Sequence, residues 1–240
     1  MTEPLVDVTG ARKRRAQAKR LRTLKRVALA VGVLALIGAL AWVVWGSPWL
    51  LARQVEVRGT SLLSVQQVTD AAQVPLDTPL AAVDTAGVEQ RITTALPAAA
   101  SARAGRSWPG TVVIDVTERT PALSIPLGRE YLWVAGDGVI FHRTATPPEG
   151  VLLVNGSVTD EETITALAKV AAALPPAVRE RAEGIIAASR DSVVINLTDG
   201  RRVVWGSSDD SELKARVVVP LLKVKAREYD VSAPTHPITR

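Results

Sequence analysis

The pattern of apolar and polar positions is dominated by one run, Val27–Trp45, which has 19 residues and no charged or polar side chain except those of its tryptophans. As a helix this run would be about 28 Å long, close to the roughly 30 Å hydrocarbon core of a bilayer. Half of the six tryptophans lie at its C-terminal end, where indole rings favour the membrane–water interface: Trp42, Trp45 and Trp49. Ser47-Pro48 is expected to end the helix, because proline lacks a backbone N–H. The pattern predicts one transmembrane helix over residues 27–46.

Charge is concentrated in front of that run. Residues 1–26 carry nine basic and two acidic side chains, whereas the rest of the chain has 20 basic and 22 acidic residues. Basic residues flanking a span stay in the cytoplasm, which predicts a basic cytoplasmic tail over residues 1–26 and an extracytoplasmic C-terminus, a single-pass type II orientation. The part outside has no basic excess, so we expect no nucleic-acid partner. A cleaved signal peptide is the competing interpretation, since Ala39-Leu40-Ala41 resembles a cleavage site, but the apolar run continues past it.

Residues 50–119 show the order β-α-α-β-β. Alternating polar and apolar residues predict a strand over 53–59, and Ser64 is placed to cap a helix with Val65, Val68, Ala71 and Ala72 on its buried side. A second helix follows Asp84, with a predicted buried stripe of Val88, Ile92, Ala95 and Leu96. Strands at 99–107 and 111–117 are joined by Trp108-Pro109-Gly110, which reads as a turn.

Residues 120–240 predict a second, mixed α/β domain with an antiparallel-rich sheet, so the fold class is α+β. Asp137-Gly138 and Asp199-Gly200 are hairpin signals between strand-like segments. Thr159-x-x-Glu162 predicts a capping box for a helix that ends before Pro175. The buried side of that helix is predicted to carry Ile164, Leu167, Ala168, Ala171 and Leu174. Asp209-x-x-Glu212 predicts the start of a final helix. Pro220 is expected to kink or end that helix, and residues 229–232 read as a short terminal strand.

Chemistry-bearing motifs are scarce. The chain has no cysteine, and its two histidines, His142 and His236, lack a second metal ligand at useful spacing. No nucleophile elbow or phosphate-binding loop occurs in the sequence. The paired acids Glu161-Glu162 and Asp209-Asp210 fit the first turn of a helix, where the helix dipole favours anions. We therefore expect neither an enzyme nor a bound metal or cofactor.

Five segments in order resemble the FtsQ/DivIB family of bacterial cell-division proteins. They are the basic tail with its span, Val55–Gly59 with the capped helix at Ser64, Arg106–Arg119 followed by Pro121-Ala122, Tyr131–Phe141, and Asp230–Pro234. The resemblance covers roughly residues 12–240. It implies a POTRA domain over 50–119, a second domain over 120–240, and a place at the division septum of the cytoplasmic membrane.

The resemblance also implies partners. Members of the family act as divisome scaffolds that bind FtsB (DivIC in Gram-positive bacteria) together with FtsL, and through them influence the septal peptidoglycan synthases FtsW and FtsI. Carried over by position, the C-terminal partner site would include Tyr229, Val231, Ser232, Ala233 and Thr235. The preceding helix would add Lys214, Leu221 and Lys225. The alternative is that Tyr229 and Val231 are sheet core, and no aromatic residue follows Tyr229 to anchor a partner.

Two other functions compete with the scaffold. POTRA domains also occur in protein export and outer-membrane assembly, but there they precede a β-barrel, and no strand series of that length follows here. A membrane-anchored hydrolase is the third possibility, and it lacks a recognisable nucleophile constellation. For a scaffold, an unpaired sheet edge that accepts a partner's strand is the expected binding mode. The terminal strand, with no successor evident in the sequence, is the candidate for that edge or for its neighbour.

Overall fold

The computed structural model describes residues 8–156, 158 and 160–240, with side chains from Lys25 onward. Its helices are α1 Val8–Gly46, α2 Val65–Ala72, α3 Thr85–Ala95, α4 Glu161–Ala173, α5 Pro176–Arg179 and α6 Ser211–Leu221. Its first strands are β1 Gln54–Arg58, β2 Ala99–Ser107, β3 Thr111–Glu118, β4 Pro121–Leu127, β5 Glu130–Ala135 and β6 Ile140–Thr144. The later strands are β7 Leu152–Leu153, β8 Ala182–Ala187, β9 Val193–Leu197, β10 Arg202–Gly206, β11 Glu228–Asp230 and β12 Ile238–Thr239. Short 3-10 turns occupy Pro48–Leu50 and Leu80–Ala82.

Helix α1 contains the predicted span. Its segment Lys25–Gly46 is long and apolar enough to cross a membrane, and none of that segment is buried. The helix ends at Gly46, where Ser47 accepts a hydrogen bond from the Trp49 N–H and caps the following 3-10 turn. The basic tail continues the same helix back to Val8, and residues 1–7 of the predicted tail lie outside the described residues.

The β-α-α-β-β order is confirmed, and its three strands form a sheet in the order β1-β3-β2. Ser64 caps α2 as predicted: its hydroxyl accepts from the Gln67 N–H at 3.1 Å, and the Gln67 side chain accepts from the Ser64 N–H at 2.8 Å. Both predicted stripes are one residue too wide. Val65 and Ala95 are exposed, because the short helices α2 and α3 bury only a narrow face.

Residues 120–240 contain two mixed sheets, ordered β6-β5-β4-β7 and β12-β11-β10-β9-β8. Most neighbours are antiparallel, but β7 pairs parallel to β4 and β11 pairs parallel to β10. Strand β4 carries the buried side chains of Leu123, Ser124 and Ile125. No strand was predicted over this segment, because proline is disfavoured at central positions of a sheet and both Pro121 and Pro126 lie in it.

Helices α4 and α6 begin one residue later than their capping motifs predict. The N-cap of α4 is Asp160, whose carboxylate accepts from the Thr163 N–H at 2.8 Å, whereas Thr159 lies outside the described residues. The N-cap of α6 is Asp210 in a left-handed conformation, so Asp209 is not the cap. Pro220 lies in the last turn of α6, which confirms that the helix ends there.

The end of β3 binds two other parts of the chain. The Glu118 carboxylate accepts from the N–H groups of Ser61, Leu62 and Leu63 at 2.8–3.0 Å. Arg119 pairs with Asp137 and donates to the Pro97 carbonyl at 2.9 Å. Glu118 therefore fixes the loop that leads into α2, and Arg119 fixes the hairpin between β5 and β6.

The chain packs into two compact units that alternate along the sequence. Of the described residues, the first unit comprises those up to Glu56 together with Val74–Thr85 and Ala104–Ile114, and the second comprises those in Val57–Gln73, Ala86–Arg103 and Asp115–Arg240. The large core of the second unit lies between its two sheets' buried faces and the helices α4 and α6, with Trp205 and Tyr229 among its fully buried side chains.

Candidate partner-binding edge

Strand β11, the predicted terminal strand, is not the edge of its sheet. It pairs parallel to β10, with Tyr229 opposite Val203, and antiparallel to β12, with Tyr229 opposite Thr239. Residues 238–239 thus return and cover the strand that the sequence offered as the edge or its neighbour, and the neighbour position is the one observed. The edge is β12, a strand of two residues with both side chains exposed.

Backbone hydrogen bonds hold β12 in place. The Arg240 N–H donates to the Glu228 carbonyl at 3.0 Å, and the Glu228 N–H donates back to the Arg240 carbonyl at 2.9 Å. The Arg227 N–H donates to the same Arg240 carbonyl at 2.7 Å. The Glu228 carboxylate also accepts from Arg202 Nε at 2.6 Å, which ties β11 to β10 on its other side. Together these bonds keep the edge ordered although β12 is short.

Tyr229 is a core residue. Its side chain is fully buried, its hydroxyl donates to the Val224 carbonyl at 2.7 Å and accepts from Arg201 Nη1 at 2.7 Å, and the Arg201 guanidinium lies 5.5 Å from the ring centroid. The hydrogen bond from Arg201 lowers the pKa of the Asp199 carboxyl, and the bond to Asp199 raises the pKa of Arg201. These hydrogen bonds hold the connection between α6 and β11 against the turn between β9 and β10.

Of the predicted partner-contacting side chains, Tyr229, Val231 and Lys214 are buried. Val231 packs in the core and its N–H donates to the Val204 carbonyl at 2.9 Å. The core alternative describes these two side chains, since a fully buried side chain cannot touch a second protein, and the place of Tyr229 and Val231 in a partner site stays a prediction. Their contribution to a partner site is limited to the position of the backbone.

Lys214 is buried for a different reason. Its ammonium group donates to the Ser207 carbonyl at 2.9 Å, inside the turn between β10 and α6. Burial lowers the pKa of Lys214, and the nearby charges of Asp209 and Asp210 oppose that effect. The side chain therefore stabilises the turn from within, and the place of Lys214 in a partner site stays a prediction.

The other predicted residues reach the surface. Ser232, Ala233, Thr235 and Lys225 are exposed, and Leu221 is partly buried against the core. The turn between β11 and β12 carries three of them and is ordered by Asp230, whose carboxylate accepts from the Ser232 N–H at 2.9 Å. The sheet edge and this turn form one continuous stretch of chain, Ser232–Arg240, which we call the terminal edge. Whether it binds a partner stays a prediction.

The terminal edge itself was missed by sequence reasoning. Its signal was a pair of β-branched residues, Ile238-Thr239, directly after Pro237. Arg201 was also missed, although it follows the Asp199-Gly200 turn that was recognised. Neither signal identifies the partner: Ile238-Thr239 does not specify that it pairs with β11, and the turn does not specify that Arg201 bonds Tyr229, 28 residues away.

A groove of about 490 Å³ lies elsewhere in the second unit, lined by side chains of both charges: Glu161, Glu162, Lys169, Arg190, Asp191 and Asp209. Arg190 already pairs with Glu162 at 2.9 Å. Among the described residues, no group of three or more His, Asp or Glu side chains is arranged to hold a metal ion. The two histidines are separate, His142 beside the Trp133 ring and His236 exposed in the terminal edge.

The predicted interface tryptophans are all exposed. Trp42, Trp45 and Trp49 leave 72%, 61% and 80% of their surface uncovered by protein, as expected of side chains that would lie in lipid headgroups. The apolar helix and these rings indicate a membrane anchor.

Comparisons with known proteins agree with this architecture. Residues 50–119 match the family model of the FtsQ-type POTRA domain, and residues 125–232 match that of the cell division protein FtsQ/DivIB C-terminal region. The cell division protein FtsQ of Streptomyces bingchenggensis is 38% identical over 94% of this chain and 88% of its own length. That of Streptomyces coelicolor is 35% identical over 94% and 90%, and that of Mycobacterium tuberculosis is 34% identical over 88% and 68%.

Proteins that share only a fold do not generally have this level of sequence identity over most of both chains, and here both family models also match in order. This chain belongs to the FtsQ/DivIB family of bacterial cell-division proteins.

Proposed function

We propose that this protein is a non-catalytic scaffold of the divisome, anchored by one helix in the cytoplasmic membrane at the septum. Residues 120–240 hold an FtsB/DivIC-like and FtsL-like pair, and residues 50–119 position neighbours close to the bilayer. Through the pair the scaffold acts on FtsW and FtsI and thereby on septal peptidoglycan synthesis. The observation that carries the proposal is the terminal edge, an ordered but very short edge strand at the end of a five-stranded sheet.

The proposed orientation follows from charge. Residues 1–26 are strongly basic and precede the apolar part of α1, which favours a cytoplasmic N-terminus and a type II topology. We expect a reporter fused after Arg240 to be active only if it is of the kind that works outside the cytoplasm. The check is a paired assay with alkaline phosphatase and green fluorescent protein fusions. A fluorescent fusion together with an inactive phosphatase fusion would place the C-terminus in the cytoplasm and would contradict the proposed scaffold function.

The edge can accept a strand on its outer side. Arg240 and Glu228 exchange both backbone hydrogen bonds, so the neighbouring Thr239 occupies the alternate position of the antiparallel pair. In that position the N–H and C=O groups point away from β11, toward solvent or a new strand. Strand addition gives affinity through such main-chain groups, with side-chain pockets giving specificity. Ile238, 48% exposed, offers an apolar contact beside them.

Substituting Thr239 by proline tests this mode. Thr239→Pro removes the outward N–H and leaves the Glu228–Arg240 bonds in place, and proline is tolerated where its missing N–H faces solvent. We expect the full chain to lose about tenfold or more in affinity for its FtsB-like partner, while its melting temperature stays nearly unchanged. The measurement immobilises one detergent-solubilised protein on a surface and titrates the other over it to obtain the dissociation constant.

Thr239→Val is the matched control, because valine has nearly the shape of threonine and keeps the N–H. It should bind the partner within about twofold of the parent chain. Equal affinity of the proline and valine variants, both folded, would exclude strand addition at β12. In that case a partner site on the exposed residues Lys225 and Ala233 would be the remaining form of the proposal.

A further inference from the structure

The chain that leaves the membrane helix is tied by its backbone to two other segments of the first unit. The Ala52 N–H donates to the Thr78 carbonyl at 2.8 Å, and the Arg53 N–H donates to the Gly110 carbonyl at 2.8 Å. A Cβ atom at Gly110 would lie 2.6 Å from the Leu51 carbonyl oxygen, so the approach requires glycine. The 74–85 loop and the tip of the β2–β3 hairpin are therefore attached directly to the segment that follows the helix.

These attachments lie close to the end of α1. Gly46 ends the helix and the next residues form a tight turn, in which the Ser47 N–H still donates to the Val43 carbonyl at 3.2 Å. Six residues, three of them in a 3-10 turn, separate Gly46 from Arg53, a path of about 20 Å at most. The 3-10 turn Leu80–Ala82 has Cα atoms within 8 Å of α1 itself. The 74–85 loop and the hairpin tip are thus near the level at which the helix leaves the bilayer.

Each of the three segments exposes one large apolar side chain. Trp49 is 80% exposed, Leu76 is 51% exposed and Trp108 is 51% exposed. By contrast, Trp205 in the second unit is fully buried. Uncovered large apolar groups on segments that are joined by backbone hydrogen bonds mark an interaction surface, and tryptophan is the side chain that most favours the membrane–water interface.

Polar groups around these side chains also suit a headgroup environment. Arg53 is exposed and its guanidinium donates to the Pro48 carbonyl at 2.8 Å, next to Trp49. Arg106 donates to the carbonyls of Leu80 and Val83 at 3.0 and 2.6 Å. Arg106 thereby fixes the hairpin against the 74–85 loop, so that Leu76 and Trp108 are carried by one braced structure and not by two separate loops.

We infer that Trp49, Leu76 and Trp108 form a membrane-contacting surface that inserts into the outer headgroup region of the bilayer. The occupant is lipid because the surface is continuous with the apolar helix, separated from it by a few residues of ordered turn. The inference rests on the proposed membrane anchor. Its consequence is that the first unit meets the bilayer at three points, one directly after the helix and two on other segments, which restricts its tilt on the helix.

The test uses the full chain, which has no cysteine of its own. Ser107→Cys, at the hairpin tip, is labelled with nitrobenzoxadiazole, and the protein is reconstituted at one chain per nanodisc of phosphatidylethanolamine and phosphatidylglycerol. Part of the lipid carries a nitroxide close to the headgroup. Ser101→Cys is the matched control, since both serines are exposed on β2 and lie about 20 Å apart along the strand.

We expect the nitroxide lipid to quench the label at position 107 about threefold or more strongly than the label at position 101. Adding Trp108→Ser and Leu76→Ser should reduce quenching at position 107 to the control level, with the unfolding temperature retained because both side chains are exposed. Equal, weak quenching at the two positions would overturn the inference. So would quenching that survives the double substitution, or quenching seen only when several chains share a disc, which would indicate contact between copies.

Membrane flotation of the same samples separates this inference from the proposed function. A chain that floats with lipid but shows no difference between positions 107 and 101 retains its anchor and lacks the contact surface. A chain that does not float has no anchor, and both proposals then fail.

Discussion

Tyr229→Ala should destabilise the full chain by about 3–5 kcal/mol, the range measured for truncating a large buried aromatic side chain. The Tyr229 side chain is fully buried, and its hydroxyl hydrogen-bonds both the Arg201 guanidinium and the Val224 carbonyl. Removing the ring leaves a cavity and frees the connection between α6 and β11, so the terminal edge loses its support. Urea unfolding of the chain in detergent, followed by circular dichroism, measures the loss.

Tyr229→Phe separates the core role of this side chain from a partner-binding role. It keeps the ring and removes only the hydroxyl and its bonds, at a cost of about 1–2 kcal/mol. Because the ring faces the core, the folded Tyr229→Phe chain should bind the FtsB-like partner within about twofold of the parent. A loss of partner binding with folding intact would show that the hydroxyl acts at the interface after all.

Glu118→Ala should cost about 2 kcal/mol at pH 7. Burial by itself would raise the pKa of this carboxyl, but hydrogen bonds from Leu62, Leu63 and Ser61 outweigh it and lower the pKa from 4.5 to about 2. A shift of that size corresponds to about 3 kcal/mol at most, and solvent screening at this partly exposed site reduces it. Alanine leaves three N–H groups in the loop before α2 without their acceptor.

The direction of the pKa shift sets the pH dependence. Because the pKa is lower in the folded chain, the stabilisation by Glu118 is complete above pH 4.5 and is lost as the pH falls toward 2. The free energy of unfolding of the parent should therefore approach that of Glu118→Gln between about pH 5 and pH 3. Unfolding curves at both pH values check this. A difference between the two chains that stays constant over this interval would contradict the assignment.

The sequence alone determined the features that depend on local chemistry. The apolar run specified α1, because 19 residues without charge have no other stable environment than a bilayer core or a protein interior. The Ser64 cap, the strands on either side of Trp108-Pro109-Gly110 and the buried stripe of α4 were correct, since each follows from spacing within a few residues. Ile164, Leu167 and Ala171 are buried as that spacing requires.

Only the tertiary structure decided which strands lie next to each other. Strand β4 is central although two prolines interrupt its pattern, because β5 and β7 pair on either side of it. Strand β12 covers β11 through backbone bonds, and backbone groups carry no signature in the sequence.

Side-chain direction near the terminal edge was equally a tertiary outcome. Tyr229 and Lys214 have polar ends that are typical of a surface, yet carbonyls at Val224 and Ser207 meet those ends inside the fold. A buried polar group is stable only where a hydrogen-bond acceptor or donor is available to it. Here the acceptors are carbonyls of separate turns of the chain. Local pattern therefore fixes what each segment is, and long-range pairing fixes which of its groups remain free to bind.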